Sequence, residues 1–318
     1  MTRAVVLDLA TITRGDLDLT ALDAALPGWV GYPVTRGDEL HARIADAAVV
    51  LTNKIKLDRA ALEAARDLKL ICLAATGTNN IDLDAAAERG IAVCNIRAYC
   101  TASVAQHVFA LVLALTINIP GYRKLLDDGA WRDSPQFCLL DYPIRELAGK
   151  TFGVIGYGEL GRAAARIAEA FGMVVVVADR PGAAPQEGRL PLDELLAIAD
   201  VVSLHCPLTP ATRGLIDAIA LQRMKHDALL INTARGALID EAALADALRA
   251  GIIGGAGIDV LSEEPPVNGN PLLDAGIPNL IVTPHIAWAA REARQRAIDE
   301  MAANARAFLA GEHRNRVI

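Results

Sequence analysis

The chain has 318 residues, of which 53% are apolar and 4% aromatic, with a formal net charge of -7 and a pI near 5.4. That length suits two domains of roughly 150 residues each, and an acidic balance with no basic run argues against a nucleic-acid surface. The longest apolar stretch, Val108 to Ile117, falls well short of the roughly 18 residues needed to span a bilayer.

In the N-terminal MTRAVVLDLA the apolar run is broken at Asp8, too early for a signal peptide. The cysteines at 72, 94, 100, 138 and 206 are odd in number and form no C-x-x-C pair, so reduced thiols in a cytoplasmic enzyme are expected, with no disulfide framework and no metal site. Ala4 to Leu9 reads as a first strand, and Ala47 to Thr52 as another after a polar helix around residues 38–45. Asp58 caps a short helix to Arg66, and Leu68 to Ala74 is a third strand. The turn ATGTNNID, residues 75–82, either offers backbone N–H groups to a carboxylate or simply connects. Asp82 or Asp84 starts a helix, and Ile91 to Cys94 closes this first α/β unit as a fourth strand.

Thr101 to Ile119 predicts a long helix, ended by Pro120 and Gly121. It is apolar around most of its circumference, which implies burial between domains. WRDSPQFCLLDY, Trp131 to Tyr142, has neither the helix nor the strand period. It is either an arm packing on another subunit or a surface loop.

Thr151 to Asp179 then reads as strand, glycine turn, helix and strand. Gly156, Gly158 and Gly161 have the spacing G-x-G-x-x-G. The first permits a tight turn, the second lets backbone approach a pyrophosphate, and the third lets helix pack closely on strand. The helix from Leu160 to Phe171 points its free N–H groups at an anion over the turn. Met173 to Ala178 is a β-branched run typical of a strand buried on both faces. Asp179 closes it 18 residues after Gly161, near the spacing expected of a ribose-binding carboxylate. Dinucleotide binding therefore outweighs a purely structural turn.

Further strands are expected at Val201 to His205, Ala228 to Thr233, Ala256 to Val260 and Leu280 to Thr283, and helices at Leu192 to Ile198, Asp217 to Met224 and Asp240 to Ala250. Together with the strands at 151 and 174 these make six parallel strands, the count of a doubly wound sheet in order 3-2-1-4-5-6. A helix from about Arg291 to Ala310 should return to the first region, making that domain discontinuous, with a cleft between the halves. The expected division is 1–100 with 286–318 for substrate and 101–285 for the dinucleotide.

Ligands of such sheets sit beyond the carboxyl ends of the strands. There stand His205-Cys206-Pro207, Thr233-Ala234-Arg235-Gly236, Asp259 and Pro284-His285. Arg235 offers a planar fork of donors suited to a carboxylate beside a carbonyl. His285 is the natural proton donor near neutral pH. Glu264, in SEEPP, could hold the imidazole and favour its charged form. The plainer alternatives are a surface arginine, a packed histidine and a solvated acidic loop.

The order GYGELG, Asp179, HCPLT (205–209), NTARG (232–236), IDVLSEEPP (258–266) and TPHIAW (283–288) resembles the D-isomer-specific 2-hydroxyacid dehydrogenase family over essentially the whole chain. Within it, ATGTNN, DYPIRELAGKT and TPHIAW most resemble the glycerate dehydrogenase (hydroxypyruvate reductase) branch. The resemblance implies an α/β architecture: a doubly wound Rossmann domain plus a discontinuous flavodoxin-like α/β substrate domain. It implies NADH-dependent reduction of a small 2-keto acid. Arg235 would bind the carboxylate and polarise the ketone, His285 would be the acid/base, and Glu264 its partner, with Glu263 as the alternate. Ala75, Thr76 and Gly77 would add backbone contacts to the carboxylate. Glu159 and Leu160 would contact the pyrophosphate and Asp179 the adenosine ribose, favouring NAD over NADP, with Arg180 partly offsetting that preference. Cys206, Pro207 and Thr212 would line the adenine side, while Thr233, Ala234 and Asp259 would lie near the nicotinamide. Val104, on the helix TASVAQHVFALVLAL, belongs to the same implied cofactor set.

Two positions depart from the commoner pattern: Gln106 in place of Glu, and Trp288 in place of glycine, which would narrow the substrate pocket. The competing activities are glyoxylate reductase, a phosphoglycerate dehydrogenase-like enzyme and, from another class, an NAD-sensing corepressor-like binding protein. The expected partners are a small acid and a second copy of the chain, with no membrane or nucleic acid.

Overall fold

The runs of alternating strand and helix build two compact units in the computed structural model, which describes residues 3–180 and 184–318. One unit is Met1–Cys100 with Ala289–Ile318, and the other is Thr101–Trp288. Ile286 to Trp288 go with the second unit, because the amides of Ile286 and Ala287 bond to Asp259.

The first unit holds β1 (Ala4–Val6), α1 (Thr20–Ala25), β2 (Val30–Gly31), α2 (Gly37–Ile44), β3 (Val49–Thr52), α3 (Arg59–Ala64), β4 (Leu70–Leu73), α4 (Leu83–Glu88) and β5 (Ala92–Cys94). Its sheet is parallel throughout in the order β2-β1-β3-β4-β5, the flavodoxin-like arrangement. Buried Val5, Val50, Ile71 and Val93 form the core with Leu62 and Ala85 from the covering helices. Asp58 caps α3 by accepting from Ala61 N, as expected, and of the two candidates for the start of α4, Asp82 and Asp84, it is Asp82 that caps, accepting from Ala85 N. The returning helix α11 (Arg291–Leu309) packs on β4 and α1. The C-terminal residues cover the outer edge of β5, with Val317 N bonded to Val93 O at 2.7 Å. The short β2 and α1 carry no period in the sequence and were not expected from it.

The second unit holds α5 (Thr101–Ile117), α6 (Ile119–Asp127), β6 (Thr151–Ile155), α7 (Glu159–Ala170), β7 (Val174–Val177), α8 (Leu192–Ile198), β8 (Val201–Leu204), α9 (Ala218–Arg223), β9 (Leu229–Asn232), α10 (Glu241–Arg249), β10 (Gly255–Ile258) and β11 (Leu280–Val282). Its six strands are parallel in the order β7-β6-β8-β9-β10-β11. Counted within the unit, that order is 2-1-3-4-5-6 and not the expected 3-2-1-4-5-6. The chain leaves β7 through α8 and crosses directly to the other side of β6, so no strand lies outside β7. The valine run of β7 is therefore an edge strand, with Val174 57% exposed, rather than a strand buried on both faces. The reversal of direction between β6 and β8 places the topological switch point beside the glycine turn.

Pro120 does not end α5. Asn118 does, in the left-handed conformation at φ 56°, and its side chain accepts from Gly121 N to cap α6, with Pro120 in the first turn where its missing N–H costs nothing. α5 buries Val108, Phe109, Leu111 and Val112 on α7, β9 and β10, and Phe109 stacks on Phe152 at 5.6 Å and Phe171 at 5.4 Å. Among the described residues no single helix is long and apolar enough to cross a membrane.

Candidate active site

The glycine turn after β6 is built from close approach. A Cβ on Gly156, which sits at φ 98°, would lie 2.4 Å from Cys206 N, and one on Gly161 would lie 2.2 Å from Gly156 O. A Cβ on Gly158 would meet nothing within 4 Å, so the bare backbone there faces open space. Gly158 is the N-cap of α7 and supplies no side-chain cap. The N–H groups of Glu159, Leu160 and Gly161 are not taken up by the described residues. Unpartnered first-turn amides beside a glycine that leaves room above them fit a pyrophosphate.

Two further unpartnered groups lie at the same carboxyl edge of the sheet. His205 follows β8 and Thr233 follows β9. His205 Nδ1 and Thr233 Oγ1 are both buried without a hydrogen-bond partner. Buried polar atoms of that kind are rare in native folds and mark a place where something else docks. Asp179, at the end of β7, accepts from Gln186 N at 3.0 Å. Val104 is buried on α5 and Ala234 half-buried after β9. Cys206 buries its thiol in the apolar core on the α8 and α9 side, which pushes its pKa up to about 11. Thr212 closes its own loop, donating to Pro207 O at 2.7 Å and accepting from Thr209 N at 2.8 Å.

Burial also lowers the His205 pKa to about 4, with Nε2 and Ser203 Oγ 2.9 Å apart. The ring is neutral in the fold, whereas the unfolded ring takes a proton below about 6.5. Stability is therefore fully present above pH 6.5 and is lost as pH falls toward 4. Between pH 7 and 5 this group should remove about 1–2 kcal/mol from the unfolding free energy. Urea titrations of wild type and His205→Gln at both pH values check this: the variant should lose less over that interval, and an equal loss would assign the effect to other groups.

Of the catalytic candidates, carried on the loops after β9, β10 and β11, Glu264 and His285 meet directly, while Arg235 stands on the adjoining turn with its guanidinium bonded to its own loop. Arg235 begins a 3-10 turn, Gly236–Leu238, and its carbonyl accepts from Asn232 Nδ2 at 2.9 Å. A Cβ on Gly236 would lie 2.0 Å from Leu261 C, so the Arg235 turn rests directly on the loop that carries Glu264. That loop is anchored by Glu241, which accepts from Ser262 N at 2.7 Å and Asn270 Nδ2 at 2.8 Å. Glu264 accepts from Leu261 N through Oε1 and lies 2.7 Å from His285 Nδ1 through Oε2. Glu263 instead accepts from Asn268 Nδ2 at 2.8 Å. Arg235 is exposed, and one of its guanidinium nitrogens donates to Ala234 O.

His285 adopts the left-handed conformation at φ 55°, unusual for a residue with a side chain. Asp259, fully buried, holds it there. Its carboxylate accepts from Thr283 Oγ1 at 2.5 Å and from Ile286 N and Ala287 N at 2.9 Å each, and its carbonyl accepts from His285 N at 2.8 Å. His107 Nε2, from α5, lies 3.0 Å from Thr283 Oγ1. The indole of Trp288 donates to His285 O at 3.0 Å, so it also staples the turn. His107 and Thr283 were not read from the sequence. Their 176-residue separation leaves no local pattern to find.

In the first unit, the turn after β4 is tied to the one after β5. Thr76 Oγ1 donates to Ile96 O at 2.8 Å, Asn95 Nδ2 donates to Thr76 O at 2.8 Å, and Ile96 N donates to Ala75 O at 3.2 Å. The N–H groups of Thr76, Gly77 and Thr78 are not used by the described residues.

Residues 109–287 match the family model for the D-isomer specific 2-hydroxyacid dehydrogenase, NAD binding domain. The chain is 46% identical over 317 residues to a glycerate dehydrogenase of Methylorubrum extorquens, covering 99% of each. It is 40% identical to a hydroxypyruvate reductase of Blautia hydrogenotrophica, covering 97% of each. The D-lactate dehydrogenase of Aquifex aeolicus, solved with NAD and lactic acid, superposes with a TM-score of 0.81 at 29% identity, over 98% of this chain and 96% of that one.

Proposed function

The chain belongs to the D-isomer-specific 2-hydroxyacid dehydrogenase family, and from that premise we propose that it is a cytoplasmic NADH-dependent hydroxypyruvate reductase, acting in reverse as a glycerate dehydrogenase. The observation that carries the substrate is the 46% identity to a glycerate dehydrogenase along nearly the full length of both chains. NADH, held at the glycine turn by the open first-turn amides of α7, would supply the hydride for C2 of the keto acid. The Arg235 fork holds the substrate carboxylate and draws electron density from the ketone oxygen. His285, with Nδ1 engaged by Glu264, keeps Nε2 for the proton that oxygen takes up. Trp288 narrows the room for the substrate's third carbon. Asp179 suits a ribose 2′-OH better than a 2′-phosphate, which favours NAD.

NADH oxidation against hydroxypyruvate, glyoxylate, pyruvate and 3-phosphohydroxypyruvate tests the substrate. Hydroxypyruvate should give the highest kcat/KM, and a higher value for 3-phosphohydroxypyruvate would move the chain to another branch.

We also infer a homodimer. Trp131, Phe137, Leu140 and Ile144, within one stretch of fourteen residues, are all more than half exposed, and a concentration of large exposed apolar side chains marks an interaction site. Sedimentation at micromolar concentration should return twice the 33.6 kDa chain mass, and a monomer would sink the assignment.

A further inference from the structure

The residue nearest the open amides of α7 is an acid. Glu159 is the first residue of that helix, where a carboxylate is stabilised by the helix dipole and can compete for the same N–H groups as an incoming phosphate. It does not do so here. Its Oε1 accepts from the hydroxyl of Thr101, the first residue of α5, and among the described residues no side chain caps α7. Helices α5 and α7 pack against each other, and this bond joins their two N-termini. The acid is thereby drawn to one side, and Gly158 leaves the space above the amides open.

We propose that Thr101 is a positioning residue of the cofactor site: its hydroxyl latches the Glu159 carboxylate away from the N-terminus of α7 and so clears the place of the NAD pyrophosphate. Glu159 would then contact the pyrophosphate through its amide alone, while its side chain acts as a built-in competing anion that the latch holds off. The consequence is a cofactor affinity set below what the glycine turn alone would give, and adjustable by one hydroxyl. This inference rests on the NAD site of the family and not on the substrate assigned above, so the keto acid can be wrong without touching it.

The test is NADH binding by fluorescence titration of the full chain, with no keto acid present. Glu159→Gln removes the charge and keeps the shape, and should tighten binding about 3- to 10-fold, as expected of one partly exposed charge near a helix N-terminus. Thr101→Val keeps the shape of the side chain but removes the latch, and should weaken binding about 3- to 10-fold. A merely structural role for Thr101 predicts the same weakening in any background. The latch predicts that Thr101→Val has no effect once residue 159 is Gln, so the double variant should bind like Glu159→Gln. Unchanged or weaker binding by Glu159→Gln would overturn the proposal. So would a loss in Thr101→Val that persists in the double variant.

Discussion

His285→Gln is expected to lower kcat for hydroxypyruvate reduction by ~10²–10⁴, the usual worth of a positioned general acid. The variant should leave NADH affinity within a few-fold, because the role proposed for the ring is proton transfer. The fold makes this residue hard to replace. The left-handed backbone at 285 is held by the Asp259 carbonyl, and the amides that follow it are held by the Asp259 carboxylate. A glutamine can occupy the position and reach toward Glu264, but it has no proton to give. Reduction consumes a proton, so its wild-type rate should fall as pH rises, while oxidation of the hydroxy acid should rise. In His285→Gln the residual rate should lose that opposition. Glu264→Gln leaves the imidazole in place but removes the charge facing Nδ1, and should cost about 10-fold, in line with a hydrogen bond to a charged partner. Glu263→Gln is the matched control, since Glu263 faces Asn268. Steady-state kinetics in both directions from pH 5 to 10 read all three variants. Full activity in His285→Gln would remove the histidine from the mechanism, and a loss confined to Glu263→Gln would mean the wrong glutamate has been paired with it.

What the sequence disclosed and what it withheld separate along physical lines. Gly156, Gly158 and Gly161 were legible because their constraint is local: each is read from the strand before it and the helix after it. Asp58, Asp82, Asp217 and Asp240 marked helix starts for the same reason, since a cap bonds an amide three residues on. Strand order was not legible in this way. The valine run of β7 has the composition of an interior strand, yet composition does not say which way the chain crosses after α8, and the crossing leaves β7 at the edge. Pro120 misled as a terminator because proline suits the first turn of a helix as well as the end of one. Within the site, Arg235 and His285 stood out by residue type at strand ends, and Glu264 by its place in SEEPP. The polar groups that support them did not. Asp259 was expected near the nicotinamide; that its hydrogen bonds run to the turn that carries His285 is visible only once β10 and β11 are side by side. The Thr101 to Glu159 bond spans 58 residues and two helices, so no spacing announces it.

Arg235→Lys should reduce kcat/KM for the keto acid by ~10² or more, the cost of one lost donor at a developing oxyanion. Lysine keeps the charge but not the fork. A guanidinium presents two parallel N–H groups to a carboxylate and retains others for the neighbouring ketone oxygen, whereas an ammonium is a point charge on a flexible stem. Both parts of the loss are separable. The weaker carboxylate grip should raise KM, since it acts on substrate and transition state alike, and the lost polarisation of the ketone should lower kcat. The surroundings decide how much lysine can recover. The Arg235 backbone is fixed between Asn232 and the 3-10 turn, and Gly236 lies against the Leu261 backbone, so the stem cannot shift to bring an ammonium into both places. NADH affinity and thermal stability should stay near wild type, because the guanidinium is exposed and donates to the neighbouring Ala234 carbonyl. Kinetics on hydroxypyruvate with both constants resolved is the measurement. An Arg235→Lys enzyme within 3-fold of wild type in kcat/KM would show that charge alone suffices, and the two-point contact with carboxylate and ketone would have to be given up.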